Sequence, residues 1–143
     1  MAGETIAIGC DHAGFSLKET LKGALAAKGF GVLDLGTDST ASVDYPDYGH
    51  KVARAIEDGT VTRAVLVCGS GVGISMAANR HKAVRAANCT SVEMARLARQ
   101  HNDANVLALG ERLVPVEVAL KCLDAFLETE FEGGRHQRRI EKI

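Results

Sequence analysis

The chain has 143 residues, a length typical of one domain that buries a core of its own. Its hydrophobic fraction of 46% and charged fraction of 24% are those of a soluble globular protein. The formal net charge of −1 gives no electrostatic case for binding nucleic acid or an anionic membrane, and no apolar stretch is long enough to span a bilayer. Because the N-terminal residues lack the basic and apolar regions of a secretory leader, we expect a cytoplasmic protein.

Short apolar runs alternate with helical segments along the whole chain. Strands are predicted over residues 6–10, 32–36, 64–69, 84–89 and 106–110, and helices over 15–28, 46–58, 72–80, 91–101 and 116–130. Since the strands are almost continuously apolar, we expect both faces of their sheet to be covered. The pattern predicts one α/β domain over residues 1–143. It is a Rossmann-like three-layer α/β/α sandwich with a five-stranded parallel sheet, a C-terminal helix and a basic tail.

The third predicted strand ends in Cys68 and continues into the glycine-rich loop 69–73. Glycines between a strand and a helix usually bring backbone N–H groups close to an anion. The spacing is not the G-x-G-x-x-G of a dinucleotide site, and the Lys of a Walker loop is missing before Ser75. A cysteine phosphatase would need an arginine where Ile74 stands. We therefore interpret the loop as a holder of an anion or oxyanion beside Cys68.

Cysteines occur at positions 10, 68, 89 and 122, without the CxxC spacing of zinc or thioredoxin-type sites. Cys89 and Cys122 are expected to be small buried hydrophobic residues. Cys68 differs because the partial positive charge at the start of the following helix stabilises a thiolate, which can act as a general base. The alternative is that Cys68 only fills the end of a strand before a tight turn.

Further polar side chains follow other predicted elements. His101 and Asn102 end the fourth helix, and Arg135 and Arg139 lie in the tail after two glycines. Arginine suits bidentate recognition of phosphate. The alternatives are that His101 only caps its helix and that the tail is a solvated charged segment. The acidic residues around the tail argue against a surface for nucleic acid.

Several motifs together resemble those of the type B ribose-5-phosphate isomerases, a family that also includes galactose-6-phosphate and allose-6-phosphate isomerases. The resemblance covers essentially the full chain. The matching segments are GCDHAGF at 9–15, DYP at 44–46, CGSGVGIS at 68–75, RQHNDAN at 99–105 and EGGRHQRR at 132–139.

The resemblance implies that ribose 5-phosphate and ribulose 5-phosphate interconvert through a cis-enediolate, without a metal or an organic cofactor. Cys68 would move the proton from C2 to C1, since part of the family uses a glutamate at the position of Ile74 and isoleucine cannot serve. His101 would open the furanose ring by protonating its ring oxygen.

The resemblance also assigns substrate contacts to other residues. Asp11 and Tyr45 would handle sugar hydroxyls or the ring-opening proton, and Asn102 would contact the reacting oxygens. Ser70 would act with the loop backbone to hold the enediolate oxygen. The loop residues that would contact the substrate are Gly69, Ser70, Gly71, Val72 and Gly73. The residues that would bind the phosphate are His12, Arg112, Arg135 and Arg139.

The order of elements indicates that one chain does not hold the whole site. Cys68, Asp11 and Tyr45 follow strands and belong at the carboxyl edge of the sheet. His101 and Asn102 follow a helix and precede a strand, which puts them at the opposite edge. We therefore expect a homodimer with shared sites, in which a second chain donates His101, Asn102, Arg135 and Arg139. Pairing of dimers into a tetramer stays open.

Two alternatives remain beside this interpretation. The first keeps the enzyme class but changes the sugar to a 6-phosphohexose, which needs more room between the thiol and the arginines. The second is a non-catalytic protein that binds phosphosugars without exchanging the C2 proton with solvent. A thiol phosphatase is already disfavoured by Ile74.

Overall fold

The structure is a computed structural model and describes residues 3–143, so Met1 and Ala2 of the predicted domain lie outside the described residues. The strands are β1 (Thr5–Cys10), β2 (Gly31–Asp34), β3 (Ala64–Cys68), β4 (Ala86–Asn88) and β5 (Val106–Gly110). The helices are α1 (Phe15–Ala27), α2 (Tyr45–Glu57), α3 (Val72–Ala78), α4 (Val92–Asn102), α5 (Val116–Glu128) and α6 (Arg135–Ile140). A short 3-10 turn, His12–Gly14, joins β1 to α1.

All pairs of neighbouring strands are parallel, in the order β2-β1-β3-β5-β4. The predicted α/β fold with a five-stranded parallel sheet is therefore confirmed. The connections leave β1 and β3 in opposite directions across the sheet, so a topological switch point lies between these two strands. Cys10, the last residue of β1, pairs with Val67, one residue before the end of β3. Residues that follow β1 and β3 therefore meet at the crevice where α/β sheets usually bind ligands.

Two apolar clusters cover the two faces of the sheet. Alternate strand residues such as Ile8 and Leu109 pack with α1, α4 and α5 on one face. Leu66, Cys68 and Ala108 pack with α2 and α3 on the other. The central strands β3 and β5 are buried along their full length, which explains their unbroken apolar sequences.

Some boundaries differ from those predicted. β4 begins only at Ala86, because the side-chain carbonyl of Asn105 takes the Arg85 N–H at 2.8 Å in place of a strand neighbour. The predicted basic tail contains the short helix α6. Among the helices of residues 3–143, none combines the length and the apolar character that crossing a bilayer requires.

Candidate active site

Nine of the predicted site residues line one cavity of about 560 Å³ beside the switch point. They come from the segments after β1, β3 and β5 and from the start of α2 and α3. Three further residues that the sequence analysis did not assign, Ala13, Met76 and Leu113, complete the lining. The predicted residues are Asp11, His12, Tyr45, Cys68, Gly69, Ser70, Val72, Gly73 and Arg112.

Cys68 lies at the floor of this cavity, with only 4% of its surface exposed. The Gly71 N–H donates a hydrogen bond to Cys68 Sγ at 3.1 Å. Gly71 makes this contact with a left-handed φ of 81°, a conformation that favours glycine. An added Cβ would lie 2.5 Å from Asn88 Oδ1, so a side chain does not fit at this position. The Gly71 N–H thus contacts the sulfur atom, and Gly71 does not itself line the cavity.

The rest of the loop provides hydrogen-bond donors around the thiol. Ser70 Oγ accepts the Val72 N–H at 3.1 Å, which leaves the hydroxyl hydrogen free to donate into the cavity. Gly73 is the second residue of α3, so the helix itself offers its N–H no partner. Tyr45 packs directly over Gly73, where a Cβ would lie 2.6 Å from the tyrosine ring. A side chain at position 73 would therefore displace Tyr45.

Asp11 and His12 are held by hydrogen bonds that orient them toward the cavity. Asp11 Oδ1 accepts the N–H groups of Ala13 and Gly14 at 3.0 and 3.2 Å, so its second oxygen remains for a ligand. His12 Nδ1 accepts the Val43 N–H at 3.1 Å. A neutral His12 therefore carries its proton on Nε2, which makes that nitrogen a donor for an anion.

Arg112 places a guanidinium at the same edge. Its backbone N–H donates to the Gly69 carbonyl at 3.0 Å, and the preceding N–H of Glu111 donates to the Cys68 carbonyl at 2.9 Å. These bonds tie the segment after β5 to the segment after β3. A Cβ at Gly69 would lie 3.1 Å from Arg112 Nη1, so the guanidinium rests on the loop. The cavity therefore combines a thiol, a carboxylate and groups that bind anions.

Within residues 3–143, His101, Asn102, Arg135 and Arg139 lie away from this cavity. His101 and Asn102 end α4, before the amino end of β5. Asn102 lines a separate cavity of about 460 Å³. Arg135 and Arg139 lie on α6 and are exposed. The structure thus brings together one of the two predicted groups of site residues around Cys68, and leaves the other at the opposite edge.

His101, Glu132 and His136 form a cluster at that opposite edge, with possible ligand atoms all within 4.8 Å of one another. The two imidazoles are stacked, with ring centroids 4.3 Å apart and planes inclined by 16°. Imidazole lone pairs lie in the ring plane, and those of two nearly parallel rings do not converge on one ion at the ~2.0–2.1 Å of a metal–nitrogen bond. The arrangement is therefore a stack of rings and not a preformed metal site. Neither Glu132 nor His136 was predicted to have a role.

The four cysteines are expected to differ in reactivity toward alkylating agents. Burial raises the pKa of Cys10 to about 11 and that of Cys89 to about 12, and it also raises the pKa of Cys122. We expect brief treatment with iodoacetamide at pH 7.5 to label Cys68 first, as measured by peptide mass spectrometry. A Cys68→Ser variant should remain unlabelled over the same time. Equally fast labelling of Cys10 or Cys89 would contradict this expectation.

Comparison with known proteins finds close relatives over almost the whole chain. The profile of the ribose/galactose isomerase family matches residues 6–143. Ribose-5-phosphate isomerase B of Escherichia coli is 49% identical, covering 96% of this chain and 93% of that protein. The structure of the Clostridium thermocellum ribose-5-phosphate isomerase B superposes with a TM-score of 0.95 at 50% identity, covering 96% of this chain and 93% of the other. The Mycoplasma genitalium enzyme with bound ribulose-5-phosphate gives 0.94 at 44% identity, covering 99% and 95%.

Proposed function

Since this chain belongs to the ribose/galactose isomerase family and is an aldose–ketose isomerase, we propose that it interconverts ribose 5-phosphate and ribulose 5-phosphate through a cis-enediolate. The observation that carries this proposal is the Cys68 thiol in the cavity, with the Gly71 N–H bonded to its sulfur. The names of the Escherichia coli and Clostridium thermocellum relatives, and the ribulose-5-phosphate bound to the Mycoplasma genitalium enzyme, support the choice of sugar.

In the proposed reaction Cys68 acts as the general base on the open-chain aldose. The thiolate removes the C2 proton, the C–H electron pair forms the C1–C2 double bond, and the carbonyl oxygen at C1 takes the negative charge. The O2 proton moves to O1, and the thiol then returns its proton to C1 to give the ketose. Removal of a proton by a positioned base contributes about 10²–10⁴ to the rate in comparable enzymes.

The loop stabilises the enediolate in this scheme. The free hydroxyl hydrogen of Ser70 and the unpaired N–H of Gly73 donate toward the charged oxygen, as donors in an oxyanion hole do. Asp11, through its free oxygen, and Tyr45 contact the sugar hydroxyls. Because the Gly71 N–H already contacts the thiol, its role is to support the base.

The phosphate and the ring oxygen are assigned to side chains that donate hydrogen bonds. His12, with its Nε2 proton, and Arg112 bind the phosphate from within the cavity. We further propose that a second copy of the chain supplies Arg135 and Arg139 for the phosphate, His101 to protonate the ring oxygen and Asn102 to contact the reacting oxygens. The site is then shared across a homodimer.

Exposed apolar side chains around the cavity support this sharing. Val72 and Tyr45 are 44% and 42% exposed, and Met76 and Leu113 are 65% and 63% exposed. All four line the cavity that contains Cys68. An apolar rim of this kind is typical of a surface that another protein covers. The proposed activity belongs to the non-oxidative branch of the pentose phosphate pathway, and we expect the enzyme to act in the cytoplasm.

The sugar preference is tested by a coupled isomerase assay with ribose 5-phosphate, allose 6-phosphate and galactose 6-phosphate. We expect the highest kcat/KM with ribose 5-phosphate. A higher value with a 6-phosphohexose would assign the chain to that substrate instead. Binding of ribose 5-phosphate without isomerisation and without exchange of its C2 proton would reveal a non-catalytic binding protein and would overturn the proposal.

A further inference from the structure

His136 is the buried residue of α6, with only 7% of its surface exposed. Its Nε2 atom is fully enclosed and makes no hydrogen bond to any atom of residues 3–143. The nearest carboxylate oxygen is Glu132 Oε1 at 3.5 Å, and the same oxygen lies 3.8 Å from His101 Nε2. The proposed reaction gives no role to Glu132 or His136, although one face of the His136 ring stacks on His101.

The backbone around the cluster holds His136 against the end of α4. The Glu132 N–H donates to the Gln100 carbonyl at 3.0 Å, and Arg99 Nε donates to the Thr129 carbonyl at 3.1 Å. The following glycines, Gly133 and Gly134, have left-handed φ values of 68° and 56°. They reverse the chain, so that α6 starts beside α4 and its second residue faces the His101 ring.

The geometry also determines where the two arginines of α6 point. Arg135 and Arg139 are four residues apart and share one face of the helix, which is exposed. His136 lies about 100° further around the helix and packs inward. Because His136 is the buried contact of α6, it sets the direction of the face that carries both arginines.

The charges in the cluster suit a neutral His136. Burial lowers its pKa, and the positive charges of the neighbouring His101 and Arg135 lower it further, against the opposing effect of Glu132. A neutral ring can stack on His101 when His101 carries a proton, whereas two charged imidazoles at this distance would repel each other. The lowered pKa of His136 therefore favours a neutral ring, and not a second positive charge, against the side chain of His101.

We propose that His136 is a positioning residue for ring opening, which holds the imidazole of His101 by stacking and orients α6 so that Arg135 and Arg139 reach the phosphate. Glu132 is the carboxylate that both imidazoles share. This inference rests on the proposed function, because it gives His101 and the two arginines their roles. It adds that one buried ring couples the group that opens the sugar to the groups that hold its phosphate.

The two sugars allow ring opening to be measured separately from proton transfer. Ribose 5-phosphate exists mainly as a furanose and must open before C2 loses its proton. Ribulose 5-phosphate cannot close such a ring, because its C5 oxygen carries the phosphate. Exchange of a C1 hydrogen of ribulose 5-phosphate with deuterium oxide therefore reports on proton transfer without ring opening. A defect in ring opening slows the isomerisation of ribose 5-phosphate and spares this exchange.

We expect His136→Ala to lower kcat for ribose 5-phosphate about tenfold to a hundredfold, because a displaced His101 no longer meets the ring oxygen. The rate of exchange with saturating ribulose 5-phosphate should change less than about threefold. KM should rise for both sugars, since both carry the phosphate that Arg135 and Arg139 bind. His136→Phe keeps a flat buried ring and should restore kcat to within about threefold of wild type. Gln137→Ala, on the exposed side of the same helix, is the matched control and should leave both rates unchanged.

The outcomes separate this inference from the proposed function. If the unmodified protein neither isomerises ribose 5-phosphate nor exchanges the C1 hydrogen, the proposed function is wrong. If it does both and His136→Ala lowers both rates equally, or neither, His136 does not position His101. A His136→Phe variant as slow as His136→Ala would show that the imidazole acts through its proton and not its shape, which also overturns the inference. Circular dichroism and size-exclusion chromatography of each variant identify losses caused by unfolding or by dissociation.

Discussion

Replacing Cys68 by alanine is expected to lower kcat for the isomerisation of ribose 5-phosphate by a factor of about 10²–10⁴, the usual contribution of a positioned general base. KM should change little, because the thiol acts on the C–H bond in the transition state and contributes little to holding the phosphate. Alanine removes the base and leaves the Gly71 N–H without its sulfur acceptor. The measurement is the initial rate in a coupled assay at saturating substrate.

Two further variants make this test specific to the thiol. Cys68→Ser keeps the size and shape of the side chain but replaces the thiol with a hydroxyl that ionises far less readily, so it should also lose most of its activity. Cys122→Ala changes a buried cysteine on α5, far from the cavity, and should keep activity within about twofold. A Cys68→Ala protein with more than about a tenth of wild-type kcat would exclude Cys68 as the base.

Much of the fold and half of the site follow from local features of the sequence. The buried strands β3 and β5 have unbroken apolar sequences, and the residues after each strand are polar or glycine. Since parallel strands end at one edge of a sheet, the grouping of Asp11, Tyr45 and Cys68 could be predicted before their positions were known. In the structure all three line one cavity.

Other features depend on contacts between distant segments and could not be predicted from the sequence. Apolar runs do not specify which strands pair, so the order β2-β1-β3-β5-β4 was open. The stack of His101 on His136 requires the turn at Gly133 and Gly134 and the short helix α6, which the basic composition of the tail concealed. The contact of the Gly71 N–H with Cys68, in place of a contact with substrate, depends on one left-handed backbone angle.

Because His101 and Cys68 lie at opposite edges of the sheet, we expect two inactive variants of this protein to complement each other. A Cys68→Ala chain retains His101, Asn102, Arg135 and Arg139, and a His101→Asn chain retains Cys68 and its loop. Each homodimer lacks one required group in both of its sites. A heterodimer contains one site with every group intact, which combines Cys68 from one chain with His101 from the other, and one site that lacks both.

Mixing these two variants therefore tests the shared isomerase site most directly. When equal amounts are mixed and their subunits exchange, roughly half of the dimers are heterodimers, each with one working site of two. We therefore predict roughly a quarter of the wild-type rate of ribose 5-phosphate isomerisation. Native mass spectrometry of chains with different tags establishes that exchange has occurred. As a control, mixing Cys68→Ala with a chain that carries both Cys68→Ala and His101→Asn should restore no activity. Recovery to roughly a quarter would support a site built from two chains. Activity no higher than that of the separate variants, with heterodimers demonstrated, would contradict it.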